Sequence, residues 1–372
     1  MNRRQMTGTD SETDVLLVGD YDYSYPREHE IRDGLTLNGA TVHEVRFRDE
    51  PLFLGPRKLL FLPYYWLVLS VRIARLALLV DVDSVFLTKF NPTLIPIVWL
   101  WSRLLGAVFV YDLFVSLHRT AELHDVAPVF VKTIYLIERL ALSLPDYLLT
   151  ETDQFAALYA ELYRLPQDRI IPLPVGVDEE WFSPRDGSPS EAFTVVYWGN
   201  FLPHHGLDPI IEAAAELDGE NVEFVFLGEG PEQDRIRAAV EAQGLSQVRF
   251  LGRVPMEELV DWVATADVCL GIFSSDVRAR ASITNKVSEG VAMGKPVITM
   301  DSPAIRDWFT DRENIWLVPP EDGQALADAI RTLRDDEALR TRIGESARAR
   351  YEAVFSPENL GRIIAESVPL SQ

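Results

Sequence analysis

The sequence predicts an α/β protein of two domains, each built on a parallel β-sheet. Its 372 residues are enough for two domains of ordinary size with separate cores. Short apolar runs alternate with longer amphipathic runs, and this rhythm occurs twice, which is typical of successive βαβ units. Between the two series the segment SPRDGSPSEA is rich in Ser, Pro and Gly, a composition that predicts a linker.

These observations divide the chain into five parts. We expect a flexible tail, a first domain, a linker, a second domain and a last helix that crosses back to the first domain, at residues 1–12, 13–184, 185–192, 193–355 and 356–372 respectively. The last helix is predicted to begin at Ser356-Pro357-Glu358, a cap residue followed by a proline in the first turn.

The first half predicts five strands: DVLLVGD, TVHEVRF, SVFL, AVFVYDLF and YLLTET. A helix is predicted between the first two strands, from about Glu28 to Asn38. Two very apolar stretches, LLFLPYYWLVLSVRIARLALLV and PTLIPIVWLWSRLLGAVFV, are interrupted by Arg72, Arg75 and Arg103, so neither predicts a membrane-spanning helix. They suit helices packed on the sheet, or helices that place an apolar, arginine-edged face in a membrane surface.

The second half predicts six strands: FTVVYWG, VEFVFLG, VRFLG, VCLGIF, VITM and IWLVP. The segment TNKVSEGVAMGKPVI predicts a short buried helix that ends at Gly294, before Pro296. Lys286, Glu289 and Met293 share one face of this helix because they are spaced three and four residues apart. Such a charged stripe is either a solvated surface pair or part of a binding site.

Composition and charge restrict the partners of the chain. The formal net charge of −22 argues against a nucleic-acid partner, because the phosphates would be repelled. Lysine is scarce, and an acidic, lysine-poor surface suits either a halophilic source or an ordinary acidic protein. The opening MNRRQMTGTDSETD has no apolar stretch, so it predicts no signal peptide and a cytoplasmic protein. The single cysteine, Cys269, lies in an apolar run and predicts packing rather than chemistry.

Ligands of open parallel sheets bind beside the carboxyl ends of the strands, so the loops there form the candidate site. The loop after VVYWG holds two glycines, which allow close backbone approach, and His205, which would place a cation against a phosphate; taken alone, the same loop also fits a plain βα turn. The loop after VCLGIF places Arg278, Arg280 and Lys286 before a helix N-terminus, which favours an anion site over a solvated charge run. We therefore expect Lys286 to contact a phosphate and Glu289 to bind hydroxyl groups beside it.

Six segments of the second half occur in a specific order: YWGNFLPHHGLDPIIEAA, FVFLGEGPE, VRFLGRVPMEEL, ADVCLGIF, NKVSEGVAMGKPVI and ENIWLVPPEDGQALADAI. With looser matches in YPREHEIRDGLTLNGATVHEV, YDLFVSLHRT, LPDYLLTET and LPVGVDEEWF, the chain resembles family 4 glycosyltransferases. The resemblance implies the GT-B architecture, in which two Rossmann-like, doubly wound parallel-sheet domains face a cleft. It also implies sugar transfer from a nucleotide-activated donor, usually with retention of configuration and without a bound metal.

The resemblance also implies roles for individual residues. Glu289 would hold the ribose hydroxyl groups and Lys286 the diphosphate, and both are candidate catalytic residues together with Asp112 and His118. The other candidate donor-binding residues are Gly199, Asn200, His205, Gly206, Arg253, Val254, Arg278, Arg280 and Asn285. On the acceptor side, Arg27 in the loop after the first strand, Asp112 and Ser116 are expected to face the cleft. The expected partners are a nucleoside diphosphate sugar and a glycan or lipid-linked saccharide, with no cofactor and no metal.

Three positions depart from the family's pattern. Ala281 replaces the first glutamate of a Glu-x7-Glu motif, Asn200 replaces the usual arginine after Gly199, and His205 replaces the usual lysine. The last two changes remove fixed cations from the expected diphosphate site. The residues expected to compensate are Arg278, Arg280 and Lys286.

Two other functions stay open on the sequence alone. A nucleotide-sugar epimerase of the same architecture would need acid–base groups at the sugar, for which His118 is the main histidine to nominate. A catalytically inactive nucleotide-binding partner protein would fit the loss of two cations. A dinucleotide-dependent oxidoreductase fits poorly, because VLLVGDYDYS lacks the glycine fingerprint after the first strand. The apolar region 59–80 points to a lipid-linked acceptor and peripheral membrane association, at the inner face of the membrane, with helix packing as the alternative.

Overall fold

The computed structural model describes residues 13–19, 26–46, 61–88, 92–123, 126–188 and 190–370, and the predicted tail at 1–12 lies outside them. Within these ranges the chain forms two compact units, each with a six-stranded parallel sheet. The first unit contains the described residues up to Thr150, Tyr159–Leu173 and those from Leu360 onward. The second contains Glu151–Leu158 and Pro174–Asn359. Residues 151–158 and 174–184, which the sequence placed in the first domain, thus lie in the second unit.

The first unit alternates strands and helices along the chain. Its strands are β1 Thr13–Gly19, β2 Ala40–Arg46, β3 Ser84–Leu87, β4 Val108–Asp112, β5 Tyr147–Thr150 and β6 Ile170–Pro172. Its helices are α1 Pro26–Leu37, α2 Leu62–Ala77, α3 Ile95–Leu105, α4 Leu117–Leu123 and α5 Pro128–Leu142, and α6 Asp153–Tyr163 is shared between the two units. The strand order is β2-β1-β3-β4-β5-β6, so β6, which the sequence did not predict, forms one edge.

The second unit repeats the same plan. Its strands are β7 Phe193–Trp198, β8 Val222–Leu227, β9 Val248–Gly252, β10 Val268–Leu270, β11 Val297–Met300 and β12 Trp316–Val318. Its helices are α7 Asp208–Glu216, α8 Gln233–Gln243, α9 Met256–Thr265, α10 Val277–Ala281, α11 Asn285–Ala292, α12 Pro303–Arg306, α13 Gly323–Asp335 and α14 Glu337–Val354. All six predicted strands are present, whereas α10 lies in what the sequence presented as a loop. The order β12-β11-β10-β7-β8-β9 makes the sheet doubly wound.

The last helix, α15 Pro357–Ser367, contributes to the core of the first unit. Its residues Leu360 and Ile364 are fully buried in one apolar cluster with Val15 of β1 and Ile31 of α1. A Cβ atom at Gly361 would lie 2.0 Å from the carbonyl oxygen of Gly34, so only glycine permits this close approach of the two helices.

The helix α11 ends as the sequence predicts. Met293 is its C-cap, Gly294 follows in the left-handed region at φ +68°, and Pro296 precedes β11. Because α11 and the short α10 before it connect β10 to β11, the N-terminus of α11 lies at the carboxyl edge of the sheet. Among the described residues, no helix combines the length and apolar character that crossing a bilayer requires.

Candidate functional site

The candidate site of the second unit lies where the strand order reverses, between β7 and β10. Gly199 and Gly228 directly follow β7 and β8, with φ of +123° and +113°, values that side chains rarely adopt. A Cβ atom on Gly228 would lie 2.1 Å from the carbonyl oxygen of Gly199. The glycines therefore let the loops after neighbouring strands approach backbone to backbone, as a site for a ligand's phosphates requires.

Lys286 extends from the first turn of α11 to the turn after β7. Its Cε and Nζ atoms lie 3.5 Å from the position that a Cβ of Gly199 would take, and Nζ is 5.0 Å from the ring centroid of Tyr197. The residue is 5% exposed. Burial lowers the pKa of Lys286 to about 8, although Glu289 acts in the opposite direction. The ammonium is thus mostly charged at neutral pH and lies beside a helix N-terminus, an arrangement that favours an anion.

Glu289 lies one turn further along α11 and is held by an indole. The Nε1–H of Trp198 donates to its Oε2 at 2.5 Å. Burial raises the pKa of Glu289, while this hydrogen bond and the charge of Lys286 lower it. The sequence could not show the contact with Trp198, which joins residues 91 positions apart. A carboxylate fixed in this way can accept hydrogen bonds from a pair of neighbouring hydroxyl groups.

His205 is not the cation that the sequence suggested. It is 7% exposed, and its Nδ1 lies 2.7 Å from the hydroxyl of Tyr197. Burial, Lys286 and His204 lower the pKa of His205 to about 2, so the imidazole is neutral at pH 7. Burial also raises the pKa of Tyr197, so its phenol stays protonated and can donate to Nδ1, and the imidazole also bonds to the backbone of Asn200. His205 therefore acts as a neutral, positioned imidazole.

Two further residues of this cluster escaped the sequence reasoning. His204 contacts the ring of His205 at 5.0 Å, and burial together with Arg278 lowers the pKa of His204 to about 4. Thr284 is the N-cap of α11, and its buried hydroxyl has no hydrogen-bond partner among the described residues. A Thr directly before a predicted helix is a recognisable cap signal, so Thr284 could have been found.

The other predicted donor-side residues differ in how close they come to Lys286. Arg278 belongs to the electrostatic surroundings of both histidines. Arg280 is exposed, and its backbone N–H bonds to the carbonyl of Asp276 at 2.9 Å. Of these two arginines, only Arg278 therefore acts electrostatically on the histidines beside Lys286. The remaining predicted residues occupy the strand-end turns or the start of α11: Gly206 at φ +63°, Arg253 and Val254 after β9, and Asn285.

In the first unit, Arg27 and Asp112, both predicted on the acceptor side, form a buried ion pair. Arg27 is the second residue of α1 rather than a loop residue, and the two side chains are 2% and 4% exposed. Arg27 Nε donates to both carboxylate oxygens at 2.9 and 3.0 Å, and Nη2 donates to Oδ1 at 2.8 Å. Arg27 Nη1 donates to the carbonyl of Leu173 at 2.8 Å. These contacts engage both oxygens of Asp112 inside the unit, because buried charges need partners.

Ser116 is likewise bound internally, through a carboxylate that the sequence did not single out. Glu138 accepts hydrogen bonds from the backbone N–H groups of Leu117 and His118 at 2.8 and 2.9 Å. It also accepts from Ser116 Oγ at 3.1 Å and from the Tyr163 hydroxyl at 2.6 Å. Glu138 thereby satisfies the first amides of α4 from the neighbouring helix. Its signal was a lone acid within the apolar run IYLIERLA.

One ring nitrogen of His118 makes no hydrogen bond to the described residues. Its buried Nδ1 has no hydrogen-bond partner among the described residues, while Nε2 lies 3.5 Å from Glu122 Oε1. The imidazole borders an open groove of about 650 Å³ that is also lined by Lys132 and Tyr135. His118 therefore lines this groove and retains hydrogen-bonding capacity at its buried Nδ1.

The structure thus has two α/β units, and in the second a buried lysine and a helix N-terminus lie at the switch point of the sheet. Residues 178–350 match the family described as Glycosyl transferases group 1. The matched residues lie within the second unit. Among the described residues, no three His, Cys, Asp or Glu side chains come together as a metal site would require.

Individual relatives are named as glycosyltransferases. The chain is 26% identical over 209 residues to the O-antigen chain mannosyltransferase C of Escherichia coli, which covers 52% of this chain and 53% of that protein. It is 31% identical over 172 residues to the lipopolysaccharide core biosynthesis glycosyltransferase LpsE of Rhizobium meliloti (strain 1021), which covers 46% and 48%. The chain therefore spans about half the length of the curated relatives it matches.

A solved structure supports the fold over nearly the whole chain. The crystal structure of Anabaena Alr3699/HepE in complex with UDP matches with a TM-score of 0.69 at 17% identity, covering 95% of this chain and 99% of that one. At this identity the match bears on the fold alone. The predicted fold of two Rossmann-like α/β domains is confirmed.

Proposed function

We propose that the protein transfers a sugar from a nucleoside diphosphate sugar to a glycan or lipid-linked saccharide, without a metal and with retention of configuration. The glycosyl transferase domain at residues 178–350 supports this proposal, as do relatives named as mannosyltransferase and core glycosyltransferase. The observation that carries it is the placement of Lys286 and Glu289 one turn apart at the start of α11. Lys286 would supply a cation for the diphosphate, and Glu289 a carboxylate for the ribose hydroxyl groups.

The chemistry needs little more than these groups. The bond between the anomeric carbon and the diphosphate oxygen breaks, and its electron pair remains on the diphosphate. The acceptor hydroxyl oxygen bonds to the anomeric carbon from the same face and gives its proton to the departing phosphate oxygen. Lys286, the hydroxyl of Thr284 and the first amides of α11 would stabilise the charge that develops on the diphosphate. In this proposal the chain's own cations do what a metal ion does elsewhere.

The acceptor side is proposed from the first unit. His118, with its buried unpartnered Nδ1 beside a groove, is the residue we place against a sugar or acceptor hydroxyl. We locate the reaction in the cytoplasm, at the inner face of the membrane for a lipid-linked acceptor.

A panel of uridine, guanosine and adenosine diphosphate sugars tests the donor site. We expect one of them to stabilise the purified protein selectively, by about 2.7 kcal/mol at 100 times its dissociation constant, because a ligand of the folded state shifts unfolding by mass action. Glu289→Ala should weaken this stabilisation, whereas Glu241→Ala, an exposed glutamate at the end of α8, should not. Thermal unfolding in concentrated potassium chloride measures both.

The same preparation separates the alternatives. Product formation with a saccharide acceptor supports the transferase. Isomerisation of the donor sugar without an acceptor would indicate an epimerase, and selective binding without any product would indicate a catalytically inactive partner protein. Equal stabilisation of the native chain and Glu289→Ala would show that the ribose assignment is wrong.

Donor affinity is expected to fall as pH rises through about 8. Lys286 is charged below its pKa of about 8 and loses its charge above it, so a diphosphate is held less well at pH 9 than at pH 7. If only the charged form of Lys286 binds the donor, the affinity falls by at most about tenfold per pH unit above this pKa. His204 and His205 do not contribute, because their lowered pKa values keep both neutral throughout this range. Titration calorimetry with the nucleoside diphosphate measures the profile, and Lys286→Met should flatten it.

A further inference from the structure

The first unit exposes large apolar side chains on three of its helices. They lie on or beside α2, α3 and α5, and we call this surface the crossover face, defined by Phe61, Tyr64, Leu67, Val71, Leu78, Leu79, Leu100, Leu104, Val129, Phe130, Leu136, Ile137 and Leu140. Each of these side chains is more than 40% exposed, and Leu78 and Leu79 reach 85% and 84%. Single exposed apolar residues are ordinary, but a group of this size marks an interaction surface.

The exposed residues are on one side of the sheet. Helix α2 lies in the connection from β2 to β3, α3 in that from β3 to β4, and α5 in that from β4 to β5. These three connections run in the same direction along the sheet. Right-handed crossovers that run in one direction place their helices on the same face of the sheet. Along α2, Tyr64, Leu67 and Val71 repeat at helical spacing while Leu69 and Ile73 are buried against the sheet. The indole of Trp101 on α3 donates to Ser70 Oγ on α2 at 3.0 Å, which fixes the two helices side by side.

The three helices of the crossover face carry a charge opposite to that of the chain. The three helices carry the basic residues Arg72, Arg75, Arg103, Lys132 and Arg139. Their only acidic residue is Glu138, which is 2% exposed and is bound to the start of α4. Arg103 is paired with Asp146 at 2.7 Å, so the exposed cations Arg75 and Lys132 dominate. In a protein of net charge −22, three neighbouring helices with this balance form a distinct basic, apolar surface.

We infer that the crossover face binds the surface of an anionic lipid bilayer. Exposed Leu, Ile, Phe and Tyr side chains edged by Arg and Lys have the chemistry of a helix that lies in the headgroup region. The helices lie on the membrane rather than cross it, since no described helix is long and apolar enough to span. The acidic remainder of the molecule is screened within about 8–10 Å at ordinary ionic strength, so it does not prevent the contact.

A second copy of the chain is the competing occupant, and charge argues against it. A two-fold contact would set two surfaces of the same net positive charge against each other, because isologous interfaces pair identical patches. An anionic lipid surface offers opposite charge across the whole face. The inference is independent of the proposed donor site, since it does not concern Lys286, and flotation measures binding without any donor or acceptor.

Vesicle flotation with the full chain tests the inference without any nucleotide sugar. We expect binding to vesicles of phosphatidylcholine with 30% phosphatidylglycerol at 0.1 M potassium chloride. Each basic residue near an anionic surface contributes on the order of 1 kcal/mol to such binding. Binding should weaken markedly at 1 M salt and on pure phosphatidylcholine. Arg75→Glu and Lys132→Glu should each lower the partition coefficient by roughly 5- to 30-fold.

Matched variants complete the test. Arg342→Glu makes the same charge change at an exposed position of α14 and should bind as the native chain does. Leu67→Ser and Leu104→Ser, 63% and 67% exposed, should weaken binding, whereas Met256→Ser, 41% exposed on α9, should not. Absence of binding at 0.1 M salt, or equal effects of Arg75→Glu and Arg342→Glu, would overturn the inference. A dimer in light scattering that Leu67→Ser dissociates would assign the face to a second copy instead.

Discussion

Replacing Arg27 with methionine is expected to lower the free energy of unfolding of the first unit by about 3–5 kcal/mol. The guanidinium and the Asp112 carboxylate are both nearly inaccessible, and three hydrogen bonds join them. Removing the cation leaves a buried carboxylate whose desolvation is no longer offset. It also removes the bond to the carbonyl of Leu173. Urea unfolding should be followed with a probe in each unit, because the two units can unfold in separate transitions.

An exposed ion pair of the same unit provides the control for Arg27. Arg119 pairs with Glu122 at 3.1 Å, but the two side chains are 44% and 41% exposed, so Arg119→Met should cost less than about 1 kcal/mol. The double variant Arg27→Met/Asp112→Asn should regain part of the stability, since it removes the buried charge as well as its partner. If Arg27→Met were as stable as Arg119→Met and yet inactive, the Arg27–Asp112 pair would take part in the reaction, as the sequence suggested.

The strands of the second sheet could be predicted because their residues are buried on both faces. Val195 and Val196 of β7 are at most 1% exposed, as are Val225 and Phe226 of β8, and such strands read as continuous apolar runs. The end of α11 could also be predicted, because Gly294 and Pro296 stop a helix by backbone geometry alone. In contrast, β6 has only three residues, Ile170–Pro172, too few to show a period.

The electrostatic character of the site could not be predicted in the same way. Residue types suggested cations at His205 and a free carboxylate at Asp112. The charge on His205 depends on its burial against Tyr197 and beside Lys286, and the role of Asp112 depends on Arg27, 85 residues earlier. Both facts are tertiary, because a pKa reports desolvation and neighbours rather than sequence position. The spacing of Lys286 and Glu289 was informative because one helix fixes their relative positions.

Replacing Lys286 with methionine is expected to reduce kcat with a nucleoside diphosphate sugar on the order of 10²–10³-fold, the loss typical of removing one group aimed at developing charge. The ammonium is 5% exposed beside Gly199, so water cannot easily replace its interaction with the diphosphate. Methionine keeps most of the side-chain volume while removing the charge. Affinity for the free nucleoside diphosphate should fall as well, and the two measurements together separate binding from turnover.

Lys295 is the matched control because it lies nine residues further along the same segment. Its Nζ donates to the carbonyl of Ala264, away from the turn at Gly199. Lys295→Met removes a lysine of the same kind and should leave donor affinity and kcat close to the native values, with any loss confined to stability. Thermal unfolding of both variants shows whether they fold. If Lys286→Met folded and turned over the donor as well as Lys295→Met, the anion site at the start of α11 would not be the site of sugar transfer.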